Sequence, residues 1–362
     1  MAIKDKLLGQ FNYVEKSDRI ATAQKKVWVE HQWHPIGPSL TELLEKVSEF
    51  SGRTLNYQYG YLSPEVYTAD FEQATLYGNS GLIKLAKGSA LTESAMLPER
   101  LAKSPGFRRL VPGKIIKKSG HYASIIHLPW CQNNLFHWLY DGLARLYPLS
   151  QDTTPITLLV PEGMAPFQAR LLEAVLSSLS HISVATVPKS ELWQLEQYRH
   201  LSFPSQSQSA FLPHPVRDWL RQAVLQGLAI AQPETPSERI FICRERTSVR
   251  RITNEQELVA VARNYNVTPY FAEDHPYQDQ VRTFTHSSLM VGGHGAGFSN
   301  ALFSPEASVL EMFSKNLVKS HYALLAMGSN FSYRHLLGQP TENQDFSISA
   351  TDFEASLQAL TK

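Results

Sequence analysis

Leu289-Met290-Val291-Gly292-Gly293-His294-Gly295-Ala296-Gly297-Phe298-Ser299-Asn300 runs from an apolar strand into a glycine-rich turn and then into the start of a helix. Glycine lets a backbone approach a ligand closely, and a helix start presents unpaired N–H groups and the positive end of its dipole. Reading outward from this turn, strand and helix patterns alternate on both sides. Arg239–Cys243, Val267–Phe271, Leu289–Gly292, Ser308–Phe313 and Ser332–Leu337 read as strands. Asn254–Asn264, Tyr277–His286, a segment from Gly297 and His321–Ser329 read as the helices between them, with a closing helix over Thr351–Leu360. Such alternation predicts a parallel sheet with crossover helices.

Gln232-Pro233-Glu234-Thr235-Pro236-Ser237 has two prolines and no periodicity, so it reads as a linker. Before it, strands over Ala123–Leu128, Ile156–Val160 and Ile182–Val187 alternate with helices over Asn134–Tyr147 and Ala165–Leu179. The polar run Ser202–Ser209 reads as a surface loop and Pro213–Ile230 as a helix. The expected architecture is α/β, with two Rossmann-like domains facing across a cleft. Residues 1–100, with short apolar runs and turn residues such as Ser51-Gly52, read as an extension of mixed strands and loops belonging to the N-terminal domain, 101–231 as that domain itself, and 232–350 as the C-terminal domain. Residues 351–362 form a terminal helix able to cross back on the first domain.

Bulk properties narrow the function. Hydrophobic residues make up 43% of 362 residues and charged ones 19%, enough for a sizeable core. A net charge of +1 argues against a dedicated nucleic-acid binder, so any phosphate recognition is local. Cys131 and Cys243 are far apart in apolar stretches, which excludes a disulfide framework and matches no metal-ligand spacing. Met1-Ala2-Ile3-Lys4-Asp5-Lys6 lacks the apolar run of a signal peptide, and no later stretch is long enough to span a bilayer. The expected location is cytoplasmic, with any seat on the inner membrane face made through partners.

Four groups of residues carry chemistry. His294 in the glycine turn could donate to a phosphate or to a departing oxygen; a tight turn with a packed histidine is the plainer alternative. Arg244-Glu245-Arg246-Thr247-Ser248-Val249-Arg250-Arg251 also follows a strand and precedes a helix, which puts it at the same carboxyl-end rim of the sheet. Guanidinium forks match phosphate oxygens, so this loop suits a diphosphate clamp, against the alternative of a solvated basic loop. Glu311, in the apolar strand Ser308–Phe313, is costly to bury unpaired. It either accepts hydrogen bonds from ribose hydroxyls or pairs with a loop arginine. His137, Asp141 and Arg145 recur every four residues along one helix face. The His–Asp pair can act as a general base, or the three can form a salt-bridge ladder beside the core. No Asp-x-Asp doublet follows an apolar strand, so a leaving diphosphate is expected to be stabilised by arginines and a helix dipole without metal.

Together these residues resemble glycosyltransferase family 61. The resemblance rests on Phe136-His137-Trp138-Leu139-Tyr140-Asp141 with Arg145, Arg250-Arg251-Ile252-Thr253-Asn254-Glu255 with Glu257, His294-Gly295-Ala296-Gly297 with Asn300, and Glu311. Tyr322, Leu325, Ala326, Gly328 and Tyr333 continue the pattern. It implies a GT-B architecture, inversion at the anomeric carbon, and a UDP-sugar donor such as UDP-GlcNAc, UDP-xylose or UDP-arabinose. The nucleotide-sugar is a co-substrate, and no cofactor is implied. Arg244, Arg250, Arg251, His294, Gly295, Ala296, Gly297, Asn300 and Glu311 are the expected donor-binding residues, with Asp141 or His137 as the base. The acceptor is a glycan or glycolipid, as in bacterial cell-surface polysaccharide assembly. Rival readings are a polysaccharide pyruvyl transferase-like enzyme and a non-catalytic nucleotide-sugar- or glycan-binding protein.

Overall fold

Short strand-length runs rich in apolar residues, too short for a buried helix, dictate the second half of the chain. In the computed structural model, which describes residues 12–13, 24–51, 60–85, 89–96, 115–126, 133–205, 210–329 and 331–361, they pair into one sheet. Its strand order is Thr268–Tyr270, Glu238–Ile242, Ser287–Gly293, Ser308–Ser314, Ser332–Pro340 and Phe346–Ser347. All neighbours are parallel except the last pair. The order reverses between Glu238–Ile242 and Ser287–Gly293, so the two connections leave in opposite directions there. In open parallel sheets this reversal opens the crevice in which ligands bind.

Both faces of this sheet are buried, as crossover helices require. Phe241, Leu289, Val291, Leu310 and Met312 pack on one side with Leu258 and Ala262 of helix Glu255–Arg263 and with Phe353 and Leu357 of helix Ala350–Leu360. The terminal helix therefore sits in the core of the second sheet, where its phenylalanine and leucine find an apolar partner. Phe353→Ala is expected to cost about 3–5 kcal/mol of stability, read by urea unfolding, because a fully buried aromatic would leave a cavity. On the other side Phe313, Val318 and Ala323 pack against Leu43 and Val47 of helix Pro38–Ser51.

The described residues fall into two units, the first drawn from 1–32, 64–208 and 218–227, the second from 33–63, 209–217 and 228–362. Residues 33–63 thus differ from the expectation that all of 1–100 joins the N-terminal domain. Their helix and the strand pair Trp33–Pro35 and Gly60–Leu62 carry apolar residues that the second unit buries, Tyr61 among them, against Phe211 and Leu324.

The first unit is a mixed sheet. Ile182–Val187, Ile156–Pro161, Ile115–Ser124 and Leu192–Leu201 are parallel neighbours in that order. Leu192–Leu201 also pairs antiparallel along nine residues with Val66–Tyr77, which joins a ribbon of shorter strands. The parallel half answers the expected alternation, except that its first strand runs over Ile115–Ser124 where Ala123–Leu128 was expected, and 127–128 lie outside the described residues. Leu192–Leu201 was not anticipated, because Gln194, Glu196, Gln197 and Arg199 interrupt its apolar pattern. Of those, Arg199 is satisfied by Asp70 and Asp152 at 2.7–2.9 Å. Helices over Pro166–Leu176 and His214–Gly227 fall where periodicity places them. Cys131, the first six residues and the end of the Ser202–Ser209 run lie outside the described residues.

Candidate donor and proton-transfer sites

The arginine loop and the glycine turn leave the two strands that flank the order reversal, so one topological fact brings both to the same edge. Gly292 stands beside Ile242, whose carbonyl oxygen is 2.8 Å from where a side chain would begin, and Gly297 packs on the Ile242 side chain. Gly295 is extended, and a Cβ there would lie 1.9 Å from Arg244 Nη1. The guanidinium therefore occupies the space that the missing side chain leaves open. After the turn, Ala296–Phe303 winds as a 3₁₀-helix.

The loop that carries the arginines is held from two sides. Glu255 accepts hydrogen bonds from the backbone N–H groups of Arg244 and Glu245, each at 3.0 Å. Arg251 donates its backbone N–H and its Nε to Asp345 at 2.7 and 2.8 Å, and the backbone of residues 251–253 is stitched to Phe346. Between these anchors Arg250 adopts a left-handed conformation, φ 58°, which a non-glycine residue holds only where its surroundings impose it. Arg251 is thus a loop anchor, while Arg244 and Arg250 face His294. Burial and then the Arg250 charge hold the Arg244 guanidinium below its usual value.

His294 Nδ1 lies 2.6 Å from Glu311 Oε1, and Tyr333 donates its hydroxyl to Glu311 Oε2 at 2.7 Å. Glu311 is fully buried, with both oxygens engaged. The structure therefore makes it the partner of a histidine, neither a ribose ligand nor the mate of a loop arginine. Asn300 is likewise buried: it accepts from Tyr277 at 2.8 Å and donates to Gln280 at 3.3 Å, so its amide serves packing. Ala296 is exposed at the start of its helix. The ring of His294 is stacked on Phe313, with His321 and Tyr322 beside it. Lys319, in the loop after strand Ser308–Ser314, adds a third cation near His294. It was not among the expected residues, although the strand-end argument that found the arginines applies equally to its loop.

Burial, Arg250, Arg244 and Lys319, in that order, hold the His294 imidazole well below its usual 6.5. Burial raises the Glu311 carboxyl from 4.5 to about 8, against the Tyr333 hydrogen bond. The signs combine as follows. From 4.5 to 6.5 the folded and unfolded pairs each bind one proton and stability is level. From 6.5 to 8 only the folded pair binds one, so stability falls as pH rises. Thermal melts across that window are expected to show this fall in the wild type and to lose it in Glu311→Gln.

In the first unit, the predicted helix over Asn134–Tyr147 is broken into an α turn (Leu135–His137), a π-helical stretch (Trp138–Gly142) and a 3₁₀ turn (Leu143–Leu146). π-helical turns recur at functional positions. His137 Nδ1 lies 2.6 Å from Asp141 Oδ2, and Ser205 donates to Asp141 Oδ1 at 2.6 Å. Asp141 is fully buried, so it orients His137 and cannot itself touch an acceptor; the imidazole is the reachable member. Ser205 lies in the run read as a surface loop, yet it is buried because Asp141 needs its hydroxyl. Arg145 does not extend a salt-bridge ladder. Its Nε and Nη2 donate to the Leu201 carbonyl, and its guanidinium lies over Phe203.

The family model described as Glycosyltransferase 61 matches residues 135–310. That span takes in His137, Asp141, the arginine loop and the glycine turn, and ends one residue short of Glu311. Among curated proteins, the chain is 34% identical over 104 residues to protein O-linked-mannose beta-1,4-N-acetylglucosaminyltransferase 2 of Bos taurus, covering 27% of this chain and 18% of that one. It is 32% identical over 101 residues to EGF domain-specific O-linked N-acetylglucosamine transferase of Rattus norvegicus, covering 26% and 19%. The aligned region spans less than a fifth of the length of these relatives. With the arginine loop and the glycine turn at the carboxyl edge of one sheet and the His137–Asp141 pair in the other unit, this chain carries a glycosyltransferase 61 domain over residues 135–310.

Proposed function

We propose that the chain is an inverting glycosyltransferase that moves a sugar from a UDP-sugar to a glycan acceptor in cell-surface polysaccharide synthesis. The observation that carries this reading is the cluster at the strand-order reversal, where Arg244, Arg250 and Lys319 surround His294 beside the glycine turn. Three cations around a helix start suit the diphosphate of a nucleotide-sugar, and they supply the charge stabilisation that a departing diphosphate needs. The relatives are named as N-acetylglucosaminyltransferases, which favours a UDP-linked amino sugar as donor. In this reading the second unit holds the donor and the first supplies the base, the division of labour of a GT-B enzyme. Inversion then requires a single displacement, with the acceptor hydroxyl losing its proton to His137 as the anomeric carbon is attacked. Metal-independent operation and a cytoplasmic, membrane-peripheral location belong to the same proposal. Among the described residues no helix is long and apolar enough to cross a membrane.

Calorimetric titration of UDP-, GDP-, CMP- and dTDP-sugars, with and without EDTA, tests it. One UDP-sugar is expected to bind regardless of chelator, and Arg250→Ala to weaken it about 10- to 100-fold through the loss of a charge-assisted contact. Arg251→Ala is expected to act on loop stability instead, because Asp345 already holds that side chain. Silence across the panel would sink the nucleotide-sugar reading, and binding of phosphoenolpyruvate would replace it with pyruvyl transfer. Binding of UDP with neither transfer nor hydrolysis would indicate a non-catalytic binding protein.

A further inference from the structure

The two units contain two histidine–carboxylate pairs built to the same plan. In each, Nδ1 lies 2.6 Å from a carboxylate oxygen. Both carboxylates are fully buried. In each the second oxygen accepts from a hydroxyl, Ser205 at 2.6 Å or Tyr333 at 2.7 Å. Both imidazoles keep a small exposed edge, 11% for the His137 side chain and 12% for His294.

They differ in where the positive charge stands. In the first unit the cation is Arg145, itself buried and acting electrostatically on Asp141. Its Nη1 has no hydrogen-bond partner among the described residues, and it carries no carboxylate of its own. Burial lowers it only to about 10, so it stays charged. The other titratable groups around it are Tyr67, Tyr198 and His200, and burial holds His200 neutral, at about 3. In the second unit the cations Arg250, Arg244 and Lys319 act on the imidazole, with His321 and Tyr322 also beside the ring. Glu311 meets His294 and the neutral Tyr333 hydroxyl. A cation beside the carboxylate favours its ionised form, whereas cations beside the imidazole oppose any proton that would make the ring positive. An anion buried without a cation on its own side is the costly alternative for Glu311.

We infer that the two pairs carry their proton in opposite places. In the first, Asp141 is the carboxylate and His137 holds the proton on Nδ1, which leaves Nε2 unprotonated and basic. In the second, the Glu311 carboxyl holds the proton on Oε1 and donates it to Nδ1, which obliges His294 to present Nε2–H. Tyr333, by donating to Oε2, decides that Oε1 is the oxygen that carries this proton. One fold thus carries a proton acceptor and a hydrogen-bond donor made from the same pair of residue types.

The chemical use of this asymmetry rests on the glycosyltransferase reading above. The unprotonated His137 Nε2 suits the acceptance of a proton from an acceptor hydroxyl, and in the other unit the His294 Nε2–H suits donation of a hydrogen bond to a diphosphate oxygen beside Arg244 and Arg250. Asp141 and Glu311 are positioning residues in this scheme; they touch neither substrate.

The test is the tautomer itself, read in long-range proton–nitrogen correlation spectra of the full chain with labelled histidines near pH 7. Among the 13 histidines, the two signals are assigned by their loss in His137→Gln and His294→Gln. The expected result is an Nδ1–H pattern for His137 and an Nε2–H pattern for His294. Glu311→Gln should preserve the His294 pattern, since a carboxamide N–H donates to Nδ1 where the protonated acid did. The same tautomer at both sites, or a charged imidazole at either, would overturn the inference. Addition of UDP should shift His294. If the tautomers are as expected but UDP moves nothing, the inference stands and the donor-site reading fails.

Discussion

Asp141→Asn is expected to lower turnover by a factor of about 10²–10⁴ with donor affinity little changed, because it breaks the orientation of His137 without opening a cavity. Asp141 reaches no solvent, and it accepts from Ser205 on one side while holding the imidazole on the other. An asparagine fills the same volume but can donate to Nδ1, which leaves His137 with its proton on the wrong nitrogen. The effect should therefore appear in kcat while KM for the donor stays near its wild-type value. A folded Asp141→Asn protein that turned over at the wild-type rate would remove this pair from the chemistry. Ser205→Ala, which withdraws one hydrogen bond from the same carboxylate, is expected to cause a smaller loss in the same parameter.

Gly295→Ala is expected to weaken UDP binding about 10- to 100-fold while leaving the unfolding midpoint close to that of the wild type. The backbone at Gly295 is extended, φ −178°, a conformation open to any residue, so no backbone strain enters. The conflict is between the new methyl group and Arg244, whose Nη1 and Cζ lie 1.9 and 2.8 Å from it. A guanidinium is the far end of a flexible side chain and will yield, so the fold survives and the clamp does not. Combining Gly295→Ala with Arg244→Ala should then add little to either single change. Full additivity in calorimetric binding would show that the glycine acts by some route other than the arginine.

Much of the second sheet was legible because its signals are local. Leu289–Gly292 and Ser308–Phe313 are apolar runs of strand length bounded by glycine, serine or proline, and amphipathic segments lie between them. The site at the edge of that sheet followed from one rule, that loops leaving parallel strands at their carboxyl ends share an edge, and Arg244, Arg250 and His294 do meet there. The strand Leu192–Leu201 was missed because its polar residues are stabilised by distant partners such as Asp70 and Asp152, which no window of sequence contains. The helix Pro38–Ser51 was not read at all, since residues 1–100 read as strands and loops of the first domain, and its apolar face finds its partners, Phe313 and Ala323, far along the chain.

The sequence by itself determined the α/β class, the linker-flanked strand–helix alternation, and the residue types at each loop, because strand period, helix period and turn chemistry are properties of neighbours along the chain. Only the tertiary structure decided which of those residues work together. It turned Arg251 toward Asp345 and Asn300 toward Tyr277, buried Glu311 behind His294, and brought Ser205 and Lys319 to sites that sequence reading had not assigned them. The physical reason is that a charge or a hydrogen-bonding group is committed by the partner nearest to it in space. Pairing at 2.6–2.8 Å between residues 17 to 94 positions apart is settled only when the loops and elements that carry them are brought together in space.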